Sequence, residues 1–336
     1  MVSRATPLLA ALLFVLASCG DRAPSYELQG HTMGTQFSVT VAQPMERESR
    51  QDLQRDIEAV LEEVEDAMST YRADSEVSRF NASPSTDWFA VSPATCEAIR
   101  ATLEVSRLSD GAFDVTVGPL VNLWGFGPDP VRVRPPPDRE IEDALASVGY
   151  RLLHADCERP AIRKDVASVY VDLSAYAKGL GVDRVGGLLE QRGIRGFMVE
   201  IGGELTLRGL DADGEPWTIA IETPESPGRG IGRVVSLTDR AMATSGDYRN
   251  FFEYDGRRYS HTIDPRTGRP TTHDLASVTV IGETAARADA MATALLVSGP
   301  EEGFDLAVRE RIPAIFQIRT HAGYTERRTP AFSGFE

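Results

Sequence analysis

Gly196-Phe197-Met198-Val199-Glu200-Ile201-Gly202-Gly203-Glu204-Leu205-Thr206-Leu207-Arg208-Gly209 reads as two short strands, 196–201 and 204–209, separated by a glycine-rich turn. The same grammar continues on both sides. Upstream, residues 168–173 read as a strand and 176–191 as the helix after it. Downstream, 217–222, 233–237, 241–245 and 275–281 read as further strands. Thr284 caps a helix over 285–297 that Gly299-Pro300 stops, and a helix over 301–310 and a strand over 314–319 follow. Hairpin-like strands mixed with crossover helices argue an α+β fold.

The first half adds amphipathic helices. Residues 36–41 alternate as a strand, after the run Gly30-His31-Thr32-Met33-Gly34-Thr35. Leu53, Ile57, Val60, Leu61, Val64, Ala67 and Met68 recur at helical spacing within 50–69. Ser92-Pro93 reads as an N-cap with proline at the first helical position, opening a helix that stops at Asp110-Gly111. Pro135-Pro136-Pro137 can join neither a helix interior nor a sheet ladder, so 125–137 is a loop, with a short helix over 141–147 after it.

The chain has 50 acidic and 35 basic side chains in 336 residues, a net charge of −15. The basic residues are scattered, which argues against a general nucleic-acid binder. The length allows one large domain or two intimately packed ones. At the N-terminus, Arg4 precedes an apolar stretch over 8–17, far shorter than the roughly 20 residues a spanning helix needs. It ends in Leu16-Ala17-Ser18-Cys19, which resembles the bacterial lipobox; an ordinary signal peptide or anchor helix is the alternative. The division expected is a lipoprotein signal peptide over 1–18, a tether over 19–29 starting at lipidated Cys19, and one domain over 30–330. Cys96 and Cys157 are too far apart for a zinc-type CxxC and read as separate thiols, a disulfide being the alternative.

Familiar hydrolase and nucleotide motifs are missing: there is no G-x-S-x-G, H-E-x-x-H, Walker A or G-x-G-x-x-G opening a helix. Three segments carry chemistry instead. In Ala288-Asp289-Ala290-Met291-Ala292-Thr293, the carboxylate and hydroxyl stand at i and i+4 on one helix face, hard oxygens suited to Mg²⁺. A solvated polar stripe is the plainer reading of that pair alone. In Val171-Asp172-Leu173-Ser174-Ala175-Tyr176-Ala177-Lys178-Gly179, a strand end meets a helix start with a lysine nearby, a setting that favours phosphate. A simple cap and a surface charge would account for it too. In Tyr259-Ser260-His261-Thr262-Ile263-Asp264-Pro265, His261 or Asp264 could act as a general base, or the histidine could be a satisfied member of a hairpin.

Taken together, the chain resembles the ApbE family, flavin transferases that move FMN from FAD onto a threonine of a partner protein. The resemblance rests on Thr32-Met33-Gly34-Thr35, Ser69-Thr70-Tyr71-Arg72, Gly111-Ala112-Phe113-Asp114 with Val117-Gly118-Pro119-Leu120, the 172–179 block, Thr244-Ser245-Gly246-Asp247-Tyr248, the 260–265 run, and Asp289 with Thr293. It implies one compact T-fold-like unit of mixed sheets with packed helices. It also implies FAD contacts at Met33, Tyr71, Ala112, Phe113, Asp114, Asp172, Lys178 and Ile263. Mg²⁺ would be held by the Ala175 carbonyl with Asp289 and Thr293. His261 is the candidate base, with Asp264 beside it. The implied reaction is Mg²⁺-dependent transfer of FMN from FAD to a threonine hydroxyl, releasing AMP. Its acceptors would be subunits of a sodium-pumping NADH:quinone reductase or Rnf complex, reached by a lipid-anchored enzyme on the periplasmic face, the inner membrane favoured over the outer. The rival readings are a Mg²⁺-dependent FAD pyrophosphatase and a non-catalytic flavin-binding lipoprotein.

Overall fold

Alternation of apolar side chains builds the centre of the molecule. In strand Thr35–Val41, Phe37, Val39 and Val41 are buried while Gln36, Ser38 and Thr40 face outward. The computed structural model describes residues 25–128, 134–224 and 230–335. The export segment, Cys19, the start of the tether and part of the 125–137 loop lie outside those residues.

Eight strands form the main sheet in chain order: Tyr26–Thr32, Thr35–Val41, Phe197–Ile201, Glu204–Arg208, Arg240–Gly246, Leu275–Gly282, Ala314–Thr320 and Gly323–Arg328. Every strand pairing among the described residues is antiparallel. The α+β expectation holds. The first strand begins at Tyr26, inside the stretch read as tether; as an edge strand it is only half-buried and shows little hydrophobic signal. It turns into the second through Met33 (φ 49°) and Gly34 (φ 71°), the left-handed pair a tight hairpin demands. Glu65 holds that turn, its Oε1 accepting from Met33 N at 2.8 Å and Thr32 Oγ1 at 2.9 Å.

The helices are α1 (Arg47–Met68), α2 (Glu76–Ala82), α3 (Pro93–Leu108), α4 (Gly118–Leu123), α5 (Asp138–Leu145), α6 (Ser174–Gln191), α7 (Ala285–Ser298) and α8 (Glu302–Arg309). On one sheet face, α1 and α6 pack on Phe37, Val39, Val199 and Ile201, and α7 packs on Ala243, Val278 and Val280. The opposite face is covered by the hairpin Trp217–Thr223/Gly230–Leu237, packed on Leu205, Leu207, Met242 and Ile281. The alanines of α7 allow close approach: a Cβ on Gly179 of α6 would lie 2.4 Å from the Ala285 carbonyl oxygen. Asp183 of α6 caps α7, accepting from Ala285 N at 2.8 Å and Ala286 N at 2.9 Å.

Two expectations are corrected. Residues 168–173 form no strand. Asn81 grips the peptide of Val171 with both side-chain groups, at 2.7 and 2.8 Å, and Asp172 N donates to the Val115 carbonyl at 2.7 Å. Side-chain and loop partners thus satisfy an apolar alternating segment that never meets a sheet edge. Cys96 and Cys157 are a disulfide, Cα–Cα 5.7 Å, tying α3 to the turn of hairpin Leu153–Asp156/Ala161–Lys164. Closing a 61-residue separation is worth about 4 kcal/mol in chain entropy. Strand Gly323–Arg328 at the far edge, helices α2 and α4 and hairpin Leu153–Asp156/Ala161–Lys164 had no counterpart in the sequence reading, while the hairpin alternative before His261 is realised as Phe251–Tyr254/Arg257–Ser260.

Candidate functional site

A cavity of about 1390 Å³ opens where α6 and α7 meet the sheet, and loop 111–114 and the residues after hairpin Phe251–Tyr254/Arg257–Ser260 complete its wall. Of the residues singled out from sequence, Tyr71, Ala112, Phe113, Asp114, Asp172, Ala175, Lys178, His261, Ile263, Asp289 and Thr293 line it. Met33 does not; it sits in the hairpin turn and packs into the core, while its neighbours Gly34 and Thr35 face the cavity. Asp264 is also off the wall. Its carboxylate pairs with the Arg266 guanidinium at 2.9 and 3.0 Å, while its backbone carbonyl accepts from Thr267 N and Gly268 N and so holds the turn.

The floor comes from α6 and α7. Asp289 and Thr293 project from one face of α7, as spacing predicts, and Thr293 Oγ1 lies 2.9 Å from Ser245 Oγ on the adjoining strand. At the start of α6, Ala175 departs from helical geometry (φ −87°, ψ 20°), which tilts its carbonyl off the ladder. The Gly179 amide, which an unbroken helix gives to that carbonyl, donates to Asp289 Oδ2 at 3.3 Å. The Asp289 carboxylate, the Thr293 hydroxyl and the backbone carbonyl of kinked Ala175 belong to residues lining the same cavity, an all-oxygen donor chemistry that fits a hard divalent cation. Among the described residues there is no cluster of three or more His, Cys, Asp or Glu that could hold a metal, so a thiolate- or imidazole-based centre finds no counterpart.

Lys178 Nζ stands 3.6 Å from Asp289 Oδ2, 3.6 Å from Glu204 Oε1 and 3.5 Å from the Ser174 carbonyl. Burial works against its charge, yet Asp289 and Glu204 outweigh it and hold the ammonium above the ordinary lysine range. Burial pushes both carboxyls up, with Lys178 pulling them back. Glu204 was not foreseen. It follows Gly202-Gly203 and alternates with Leu205, so while the leucine meets the covering hairpin, Glu204 turns to α6. The one sequence signal was an acidic residue directly after Gly202-Gly203 at the start of a strand.

At the wall, Asp172 Oδ1 accepts from Ser174 N and Oγ at 2.8 and 2.5 Å and so shapes the first turn of α6. Asp114 spends its carboxylate on Thr116 and on the Tyr150 amide, folding its own loop, and burial raises its pKa. Phe113 is a core residue that offers the cavity little surface, whereas Tyr71 is 69 % exposed and presents its ring. Trp124 is buried and Trp88 exposed. At the mouth, His261 Nδ1 lies 3.1 Å from the Asn250 carbonyl, which can only accept, so Nδ1 carries the proton and Nε2 keeps its lone pair. Burial lowers the pKa of the ring and keeps it neutral.

The sequence profile of the ApbE family matches residues 33–316. The chain belongs to the ApbE family. It is 45 % identical over 325 residues to an FAD:protein FMN transferase of Vibrio cholerae, covering 97 % of each chain. With the FAD:protein FMN transferase of Haemophilus influenzae it shares 38 % identity, covering 96 % of this chain and 94 % of that one. The solved flavin transferase ApbE from Vibrio cholerae superposes with a TM-score of 0.87 at 44 % identity, covering 94 % of this chain and all of that one. The apo flavinyl transferase ApbE of Pseudomonas stutzeri superposes at 0.84 with 41 % identity, covering 93 % and 96 %. The ApbE fold is thus that of the whole described chain, and the cavity lies within it.

Proposed function

We propose that the chain is an FAD:protein FMN transferase that moves FMN from FAD to a threonine hydroxyl of a partner redox protein and releases AMP. The observation that carries this reading is one cavity holding a hard-oxygen donor set, a lysine and a neutral histidine with a free Nε2. The chain has no G-x-S-x-G elbow, and its two described cysteines are tied to each other, in keeping with a nucleophile that arrives on the partner.

In the reaction, the threonine oxygen bonds to the phosphorus on the FMN side of the pyrophosphate. The bond from that phosphorus to the bridging oxygen breaks, and AMP leaves with the electron pair. The threonine proton passes to His261 Nε2, whose position is held by the Asn250 carbonyl. Lys178 faces the cavity with a charge suited to the pyrophosphate oxygens, and Tyr71 offers a ring to stack on an aromatic base. Ala175 O, Asp289 and Thr293 would hold Mg²⁺, which would supply charge neutralisation for the phosphates.

The same proposal places the chain outside the cytoplasm, lipidated at Cys19, with acceptors of the sodium-pumping NADH:quinone reductase or Rnf type. The Cys96–Cys157 disulfide supports an oxidising compartment. The test is to incubate residues 25–336 with FAD, Mg²⁺ and a threonine-bearing acceptor domain, then weigh the acceptor. A gain of one FMN with equal AMP, both abolished by EDTA, is expected. AMP and free FMN with an unmodified acceptor would instead indicate a pyrophosphatase, and tight FAD binding without turnover a binding protein.

A further inference from the structure

We infer that, given the cation site proposed above, Glu204 is a positioning residue: it takes up the charge of Lys178 and thereby leaves the Asp289 carboxylate available to the divalent cation. One ammonium stands between two carboxylates at equal distance, 3.6 Å from each. Both carboxylates are only 4 % exposed, against 28 % for the lysine. Water therefore screens the trio poorly, and each charge depends on the others.

The two carboxylates are not equivalent. Asp289 has further work, accepting from the Gly179 amide and standing one helical turn from Thr293 in the cavity that kinked Ala175 also lines. Glu204 has none. Its Oε1 meets Lys178, and its Oε2 is buried with no hydrogen-bond partner among the described residues. A buried carboxylate oxygen left alone weakens a fold, so the residue is poorly explained as a structural support. Its charge has a use at the site. A dication arriving at Asp289 displaces the lysine from that carboxylate, and Glu204 is the anion that remains to hold it. Without Glu204, lysine and cation compete for Asp289, and the site gains a positive charge that repels the incoming ion.

The experiment titrates Mn²⁺ alone, without FAD, into residues 25–336, by electron paramagnetic resonance and calorimetry. Wild type is expected to bind one ion and Asp289→Asn none. Glu204→Gln is expected to weaken binding roughly 10–100-fold, the range typical of groups behind a metal ligand. Lys178→Met/Glu204→Gln is expected to recover most of the loss, because the competing cation is gone. A merely structural glutamate would give no such rescue. If Glu204→Gln fails to fold, Lys178→Met alone decides: it should bind Mn²⁺ at least as tightly as wild type. Glu204→Gln binding like wild type while Asp289→Asn binds nothing would overturn the role of Glu204 and leave the cation site standing. No binding by wild type would overturn both.

Discussion

The floor and the mouth of the cavity are built by opposite means. The floor, where α6 crosses α7, is tightly packed: alanines and Gly179 let backbones touch, and Asp289 and Glu204 are buried with few partners. The mouth is a hairpin held to the body by stacked rings, with Trp124, Phe252 and Tyr259 centroids 5.2 to 6.4 Å apart, and with Phe251 and Tyr254 exposed. Charges at the floor act at short range without solvent. At the mouth it is a backbone carbonyl, that of Asn250, which positions the partly buried His261 ring. Substitutions at the floor should therefore change binding and chemistry steeply, and those at the mouth should matter only where they touch His261.

The largest expected effect is at Asp289. Asp289→Ala should keep its circular dichroism and lose about 10³-fold in kcat, the scale of removing one stabiliser of developing charge. Transfer at wild-type rate in the presence of Mg²⁺ would erase the contrast. Next comes His261. As a base it works neutral, and burial lowers its pKa, so activity should persist as pH falls past the ordinary histidine value of about 6.5 and fail only below it. His261→Gln should cost about 10²-fold or more in kcat and remove that acidic limb from a profile measured over about pH 5 to 8.

A smaller effect tests the packing itself. Gly179→Ala puts a methyl 2.4 Å from a backbone oxygen that cannot swing aside, and should lower stability by about 1–3 kcal/mol in a denaturant melt. The smallest is at Arg257, whose guanidinium lies 5.7 Å from the Tyr259 ring on the exposed hairpin. Arg257→Ala should cost less than about 1 kcal/mol in the same melt. A loss as large as that of Gly179→Ala would mean that the mouth is as tightly built as the floor.

Much of this was legible beforehand, for a local reason. Helical periodicity set α1, cap and stop residues set α3 and α7, and the i, i+4 spacing of Asp289 and Thr293 fixed their common face whatever the rest of the chain did. The turn through Met33-Gly34 was not read, because a half-buried edge strand beside it gave no strong alternation. Residues 168–173 looked like a strand because alternation records which side chains are buried, not what the backbone bonds to.

What the amino-acid order determined alone is therefore each element with a period of its own, and the residue types able to do the chemistry. The tertiary structure decided the rest. Asp264 became the partner of Arg266, Cys96 met Cys157 across 61 residues, and Glu204 came within 3.6 Å of a lysine on a different element. The physical reason is that charge acts through distance and burial. Neither exists along a chain until strands and helices have packed.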